Sequence, residues 1–204
     1  TKEATQEMKA AKILGNPEYL AISYGGYRAK SREVQPTISE LKEDLKLMHA
    51  MGIRILRTYN VQPKLPHASN ILEAISQLKK EDENFEMYVM LGAWIDCLNA
   101  WTGKVPNHEI ESDQNEGEIA RAVALANKYP DIVKVIAVGN EAMIKWATSY
   151  FVRPNVILKW VNHLQDLKKE GKLSKDLWIT CSDDFASWGG GDPSYKVKEL
   201  EDII

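Results

Sequence analysis

An α/β fold, with helices covering a parallel sheet, is predicted by three observations. From about residue 19 the chain alternates short β-rich segments with longer ones whose apolar residues recur every three or four positions. The β-rich segments are near-continuously apolar, the pattern of strands buried on both faces. The composition, 204 residues with 44% hydrophobic and 27% charged, is that of a folded domain, and it excludes disordered, collagen-like and disulfide-framework classes.

Each element has its own signal. Tyr19–Tyr24 (YLAISY) is the first strand segment, closed by Gly25-Gly26. Thr37-Ile38-Ser39-Glu40 has capping-box form, and Ile38, Leu41, Leu45, Met48 and Met51 behind it share one helical face before Gly52 stops the helix. Ile53–Tyr59 (IRILRTY) is the second strand, followed by a helix with Ile71, Ile75 and Leu78 on one side. Glu86–Ile95 and Glu118–Asn127 form the third strand and helix, and Ile132–Val138 (IVKVIAV) the fourth strand. The fourth helix carries Ile157, Trp160, Val161, Leu164 and Leu167 and ends at Gly171. Leu177–Cys181 (LWITC) is the fifth strand, and Val197–Ile204 begins a fifth helix. Residues 1–18 read as an N-terminal extension and 19–204 as one domain. An open doubly wound sheet and part of a (β/α)₈ barrel both fit this order.

In both architectures ligands bind beyond the carboxyl ends of the strands. Those ends present Ser23-Tyr24, Arg57-Thr58-Tyr59-Asn60, Trp94-Ile95-Asp96, Asn140-Glu141 and Ser182-Asp183-Asp184, with Trp188 shortly after. Aromatic rings together with Arg, amides and carboxylates suit a sugar, whose ring faces are apolar and whose edges carry hydroxyls. Glycoside cleavage needs one carboxylic acid and a second carboxylate opposite it. Glu141 is the best acid, because it follows the apolar VIAVG run and is expected to be partly desolvated there. Position alone leaves bland readings open: Glu141 as a helix cap, Arg57 as a structural ion pair, Asp96 and the Asp183-Asp184 pair as loop caps, and Tyr24, Tyr59, Trp94, Trp146 and Trp188 as core residues.

Other chemistries lack their motifs. His49 and His163 lie within helices and His67 and His108 in connections, with no HExxH and no GxSxG elbow. Gly25-Gly26 and Gly189-Gly190-Gly191 form neither GxGxxG nor a Walker loop, so dinucleotide and NTP binding are weak readings. Cys97 and Cys181 have no metal-ligand spacing and read as thiols; no metal or cofactor is expected. The 26 Lys and Arg against 29 Asp and Glu, net −3, lack the positive footprint of a nucleic-acid binder. No apolar run approaches the ~18–20 residues of a membrane span. The N-terminal stretch has no signal-peptide h-region, so the residues do not give a compartment.

Five segments in order carry a resemblance: ISYGGYR at Ile22–Arg28, ILRTYN at Ile55–Asn60, LGAWID at Leu91–Asp96, VGNEA at Val138–Ala142 and TCSDDFASW at Thr180–Trp188. Together they resemble glycoside hydrolase family 17, especially its bacterial branch. The resemblance implies a (β/α)₈ barrel, of which this chain supplies about the first five units. It implies a retaining hydrolase or transglycosylase acting on a β-glucan polysaccharide or oligosaccharide, typically β-1,3-linked, in a secreted or periplasmic setting. Glu141 is then the general acid/base and Asn140 a substrate ligand. Tyr24, Arg57 and Tyr59, with Trp94, shape the site, and Asp184 and Trp188 flank it on the fifth-strand side. The family's nucleophilic Glu ends a seventh strand, and no residue here matches it. Strand starts near 19, 53, 86, 132 and 177 are spaced by roughly 33 to 46 residues, so eight units need about 300 residues, against ~250 typical of the fold. The expectation is a barrel portion inactive by itself, with its first and fifth strands as exposed edges, that pairs with a C-terminal remainder or self-associates. A non-catalytic carbohydrate-binding barrel is the alternative, and an open-sheet nucleotide-binding protein a weaker one.

Overall fold

The capping box forms as the sequence predicts. Thr37 N–H donates to Glu40 Oε2 at 2.9 Å and Glu40 N–H to Thr37 Oγ1 at 3.2 Å. These bonds start the helix Ile38–Ala50, whose Leu41, Leu45 and Met48 are buried. Met51, assigned to the same apolar face, is 70% exposed, because it caps the helix beyond its last full turn. Gly52 then turns the chain with a φ of 86°, a conformation open to glycine at little cost.

The computed structural model describes residues 8–189 and 191–204. The first seven residues of the expected extension, and Gly190 of the glycine run, lie outside the described residues. The elements are α1 (Ala10–Ile13), β1 (Leu20–Ser23), α2 (Ile38–Ala50), β2 (Ile53–Arg57), α3 (His67–Glu81), β3 (Tyr88–Ala93), β4 (Cys97–Leu98), β5 (Asn107–Glu111), α4 (Gln114–Lys128), β6 (Val133–Val138), α5 (Pro154–Lys169), β7 (Trp178–Thr180) and α6 (Lys198–Ile203). Strands β1-β2-β3-β6-β7 lie side by side in that order, every pair parallel. The fold is thus α/β with a parallel sheet. β4 and β5 form a separate antiparallel hairpin inserted between β3 and α4, which the sequence pattern did not signal.

Alternation along the strands divides the apolar residues between two faces. Leu56, Val89, Leu91, Ile136 and Val138 pack with Leu45, Ile71, Ile75, Ile119, Ile157 and Leu164 of the helices in the main core. On the other face Ile55 and Tyr88 pack with Ile13 of α1, joined by Met8, Leu14 and Tyr19. Residues 8–18, read as an extension, therefore contribute to a buried cluster. Among the described residues β1 and β7 are the sheet's edges, and all four residues of β1 are exposed, Leu20 at 51% and Ile22 at 43%.

One contact brings the functional ends of β2 and β3 together. A Cβ on Gly92 would lie 2.6 Å from Tyr59 Cα and 2.8 Å from its carbonyl carbon, and would overlap Thr58 O. Thr58 Oγ1 also accepts the Gly92 N–H at 3.2 Å. Only glycine lets the segment carrying Tyr59 pass this close to the strand that ends at Trp94. Cys97 is buried and Cys181 half-buried, both as free thiols; burial, and then Asp183, push the Cys181 thiol up to about 12.

Candidate active site

Because the five strands are parallel, their carboxyl ends meet at one edge, and there the chain forms a cleft of about 830 Å³. Tyr24, Arg57, Tyr59, Trp94, Asn140 and Glu141 all line it. The site is built on Arg57, at the end of β2. Its Nη2 donates to Asn140 Oδ1 at 2.6 Å, and its guanidinium lies over the Tyr59 ring at 4.9 Å. Arginine has only donors, so Asn140 must turn its oxygen to Arg57 and keep its NH₂ for the cleft. Arg57 Nε is buried without a hydrogen-bond partner among the described residues.

The aromatic hydroxyls and the indole N–H are engaged inside the protein. Tyr24 donates to Asp44 on α2 at 2.8 Å, and burial with that bond raises its hydroxyl well above the ordinary 10. Tyr59 donates to Ser23 Oγ at 2.7 Å, and Trp94 Nε1 to Asp96 Oδ2 at 3.0 Å. Each ring is thereby fixed, so these side chains meet a ligand with ring surface.

Glu141 sits on a left-handed residue with φ of 47°, after Gly139 at 76°, and its N–H donates to Ser182 O at 2.7 Å. The turn lifts it out of the apolar run, so it is exposed at the cleft and lacks the burial expected from the preceding strand. The cleft carboxylate that burial does perturb is Asp183, which is half-buried. Burial first, then the charges of Asp184 and Glu141, push it up to about 7 from the ordinary 3.8, against the Met143 N–H that donates to its Oδ1 at 2.9 Å. A raised folded-state value means that the stability linked to neutral Asp183 is complete below about pH 3.8 and is lost as pH climbs through about 7. Asp183→Asn keeps the acceptor for Met143 and cannot ionise. Relative to the parent it should gain on the order of 2 kcal/mol between pH 4 and 8, a figure discounted for residual solvent contact. Urea melts across that range check this, and a difference independent of pH would refute it.

Two residues assigned to the site from the sequence do not line the cleft. Asp184 Oδ1 accepts the Ser187 N–H at 2.7 Å, a turn cap that lowers its carboxyl's pKa. Trp188 packs against the helix-side core, in a separate depression with Val161, Ile179 and Ile203. The peptide between Ser182 and Asp183 separates the pair: its carbonyl, Ser182 O, is bound to the Glu141 N–H, and Asp183, the first of the pair, turns inward. Asp96 is also a structural carboxylate, 7% exposed, raised by burial and engaged with the Trp94 indole. Arg32, Trp101 and Tyr150, which the sequence does not single out, complete the cleft, together with Tyr27, Asn60, Ser182 and Asp183 from the strand-end segments, to which the sequence assigns no role. His67, placed in a connection, instead opens α3, where it is buried, its Nδ1 2.9 Å from the Tyr27 hydroxyl, and burial lowers its pKa. Among the described residues no group of three His, Cys, Asp or Glu could hold a metal ion, and no helix is long and apolar enough to cross a membrane.

No protein-family model matches the chain, and no curated protein matches it. Among solved structures it is similar to an endo-laminarinase from Formosa Hel1_33_131, with 70% sequence identity and a TM-score of 0.94. The likeness covers 97% of this chain and 50% of that one. Nearly the whole chain is therefore similar to half of an endo-laminarinase.

Proposed function

We propose that the protein is a β-1,3-glucan hydrolase of glycoside hydrolase family 17 that works by retention. Glu141 is its general acid/base, and the nucleophile lies on chain outside these 204 residues. The observation that carries this reading is the Asn140–Glu141 pair at the end of β6. Its amide is oriented by Arg57 and its carboxyl opens on a cleft walled by tyrosine and tryptophan. The 70% identity to half of an endo-laminarinase supports the substrate class.

The chemistry follows from the groups present. Glu141 gives its proton to the glycosidic oxygen as the bond to the sugar breaks, and afterwards takes a proton from the water that releases the product. The free NH₂ of Asn140 and the Arg57 donors face the hydroxyls of the sugar being cleaved, where bonds that strengthen in the transition state contribute most. In a retaining enzyme the second carboxylate stands about 5–5.5 Å from the first, on the other side of the bond. The edges at β1 and β7 are the places where further strands would join to close the sheet into a (β/α)₈ barrel and bring that carboxylate opposite Glu141.

The test is a digest of laminarin by the full-length protein, with the first product read by proton NMR before mutarotation. The expected first product is the β-anomer. An α-anomer would overturn retention. Failure to cleave laminarin while binding it would favour the non-catalytic carbohydrate-binding reading, and failure to do either would overturn the substrate class.

A further inference from the structure

The hairpin between β3 and α4 carries a strained and exposed aromatic ring. Asn99, Trp101 and Gly103 have φ values of 66°, 61° and 77°, so three alternate residues of one short loop are left-handed. Glycine adopts this conformation freely and asparagine tolerably, but for a bulky side chain it is unfavourable and persists only when its surroundings enforce it. Here they do. Thr102 Oγ1 donates to Asn99 O at 2.8 Å, Asn99 Nδ2 to Val105 O at 3.1 Å, and the Cys97 N–H to Tyr150 O at 3.1 Å.

The result is a ring 63% exposed but not isolated. Trp101 stacks on Tyr150 with centroids 5.3 Å apart and planes at 25°, and lies 6.4 Å from Trp94, itself 5.2 Å from Tyr150. All three line the cleft. Glu141 and Asp183 line the same cleft, so this wall of rings adjoins the carboxylates; burial, then those two charges, raise the Tyr150 hydroxyl. A packing role would bury Trp101, and a turn role would favour glycine at this φ; a large aromatic held exposed against both preferences points to a ligand.

We infer that Trp101, backed by Tyr150 and Trp94, is a stacking platform for a glucosyl unit beyond the pair of sugars cleaved at Glu141, an inference that rests on the β-glucanase reading. β-Linked glucose carries its hydroxyls equatorially, so both ring faces are apolar C–H surfaces that match an indole face. With the Trp94 indole N–H bound to Asp96, that ring offers the cleft no donor, and the wall selects for ring face and chain length.

The test is calorimetric titration of β-1,3-linked gluco-oligosaccharides of two to six units into the full-length protein carrying Glu141→Gln, so that nothing is turned over. Affinity should rise with length. Adding Trp101→Ala should weaken the six-unit ligand about tenfold and flatten the length dependence, while Trp101→Tyr restores most of the affinity. Trp101→Gly should lose as much binding as the alanine variant yet melt no lower than the parent, because glycine relieves the left-handed strain. Unchanged affinity in Trp101→Ala would overturn the platform. So would a loss matched by lowered melting temperatures in both the alanine and glycine variants, which marks a structural role. If the Glu141→Gln protein binds none of the oligosaccharides, the β-glucanase reading itself falls.

Discussion

Glu141→Gln should reduce laminarin hydrolysis by about 10³-fold, in the middle of the range that positioned acid–base groups contribute. The fold should survive. The structural contact at this position comes from the main chain, the Glu141 N–H donating to Ser182 O at 2.7 Å, and glutamine keeps both that donor and the left-handed backbone. The side chain is exposed, so exchanging carboxyl for amide should change stability by less than about 0.5 kcal/mol. A second substrate separates proton donation from mere binding. An aryl β-glucoside with an acidic phenol as leaving group needs no proton to depart, so its first step should suffer far less than laminarin cleavage. Equal losses on both substrates would remove Glu141 from the acid role. Full activity on laminarin would remove it from catalysis altogether.

Why Glu141 could be picked out, and Asp183 and Trp101 could not, is a matter of which constraints are local. Thr37 and Glu40 cap α2 through bonds spanning three residues, and Gly52 stops it, so that helix is legible in its own few residues. The strand-end residues Arg57, Tyr59, Trp94, Asn140 and Glu141 needed one further step: parallel strands deliver their carboxyl ends to a common edge. Hairpin β4–β5 has no such signal. Asn107–Glu111 is NHEIE, mostly exposed and without the alternation that marks a strand, so its tip and Trp101 could not be placed. Asp183 and Asp184 are chemically identical neighbours, and only a long-range bond from Glu141 N–H to Ser182 O decides which one faces the cleft. Trp188 was assigned by the order of motifs, but it packs on the helix side of the sheet. The short α1 has a single turn, too little for any period, and its place is set by the sheet face that Ile13 covers.

Glu118 is the position where the hidden constraint is strongest, and Glu118→Ala should destabilise the protein by about 3–5 kcal/mol. In sequence it is one more glutamate on an amphipathic helix; in the structure it is 2% exposed. Its Oε1 accepts the Val61 N–H at 2.6 Å and the Trp94 N–H at 3.0 Å, and its Oε2 accepts from Arg121 Nη2 at 2.9 Å. Arg121 Nε in turn donates to Val61 O at 2.7 Å. One carboxylate on α4 therefore ties down the segments that leave β2 and β3, those that carry Tyr59, Asn60 and Trp94 into the cleft. Alanine strands two main-chain donors and removes the counter-ion of a partly buried arginine, which is the costly way to break such a pair. Glu118→Gln, which keeps its oxygen for the N–H groups but turns an NH₂ towards Arg121, should cost about half as much. Urea unfolding gives both values, and a loss below about 1 kcal/mol for the alanine variant would contradict the clasp. Hydrogen exchange locates the effect. In Glu118→Ala the Val61 and Trp94 amides should exchange well before the β6 core amides. If all slowed or quickened together, Glu118 would be stabilising the domain as a whole without holding these two strand ends in particular.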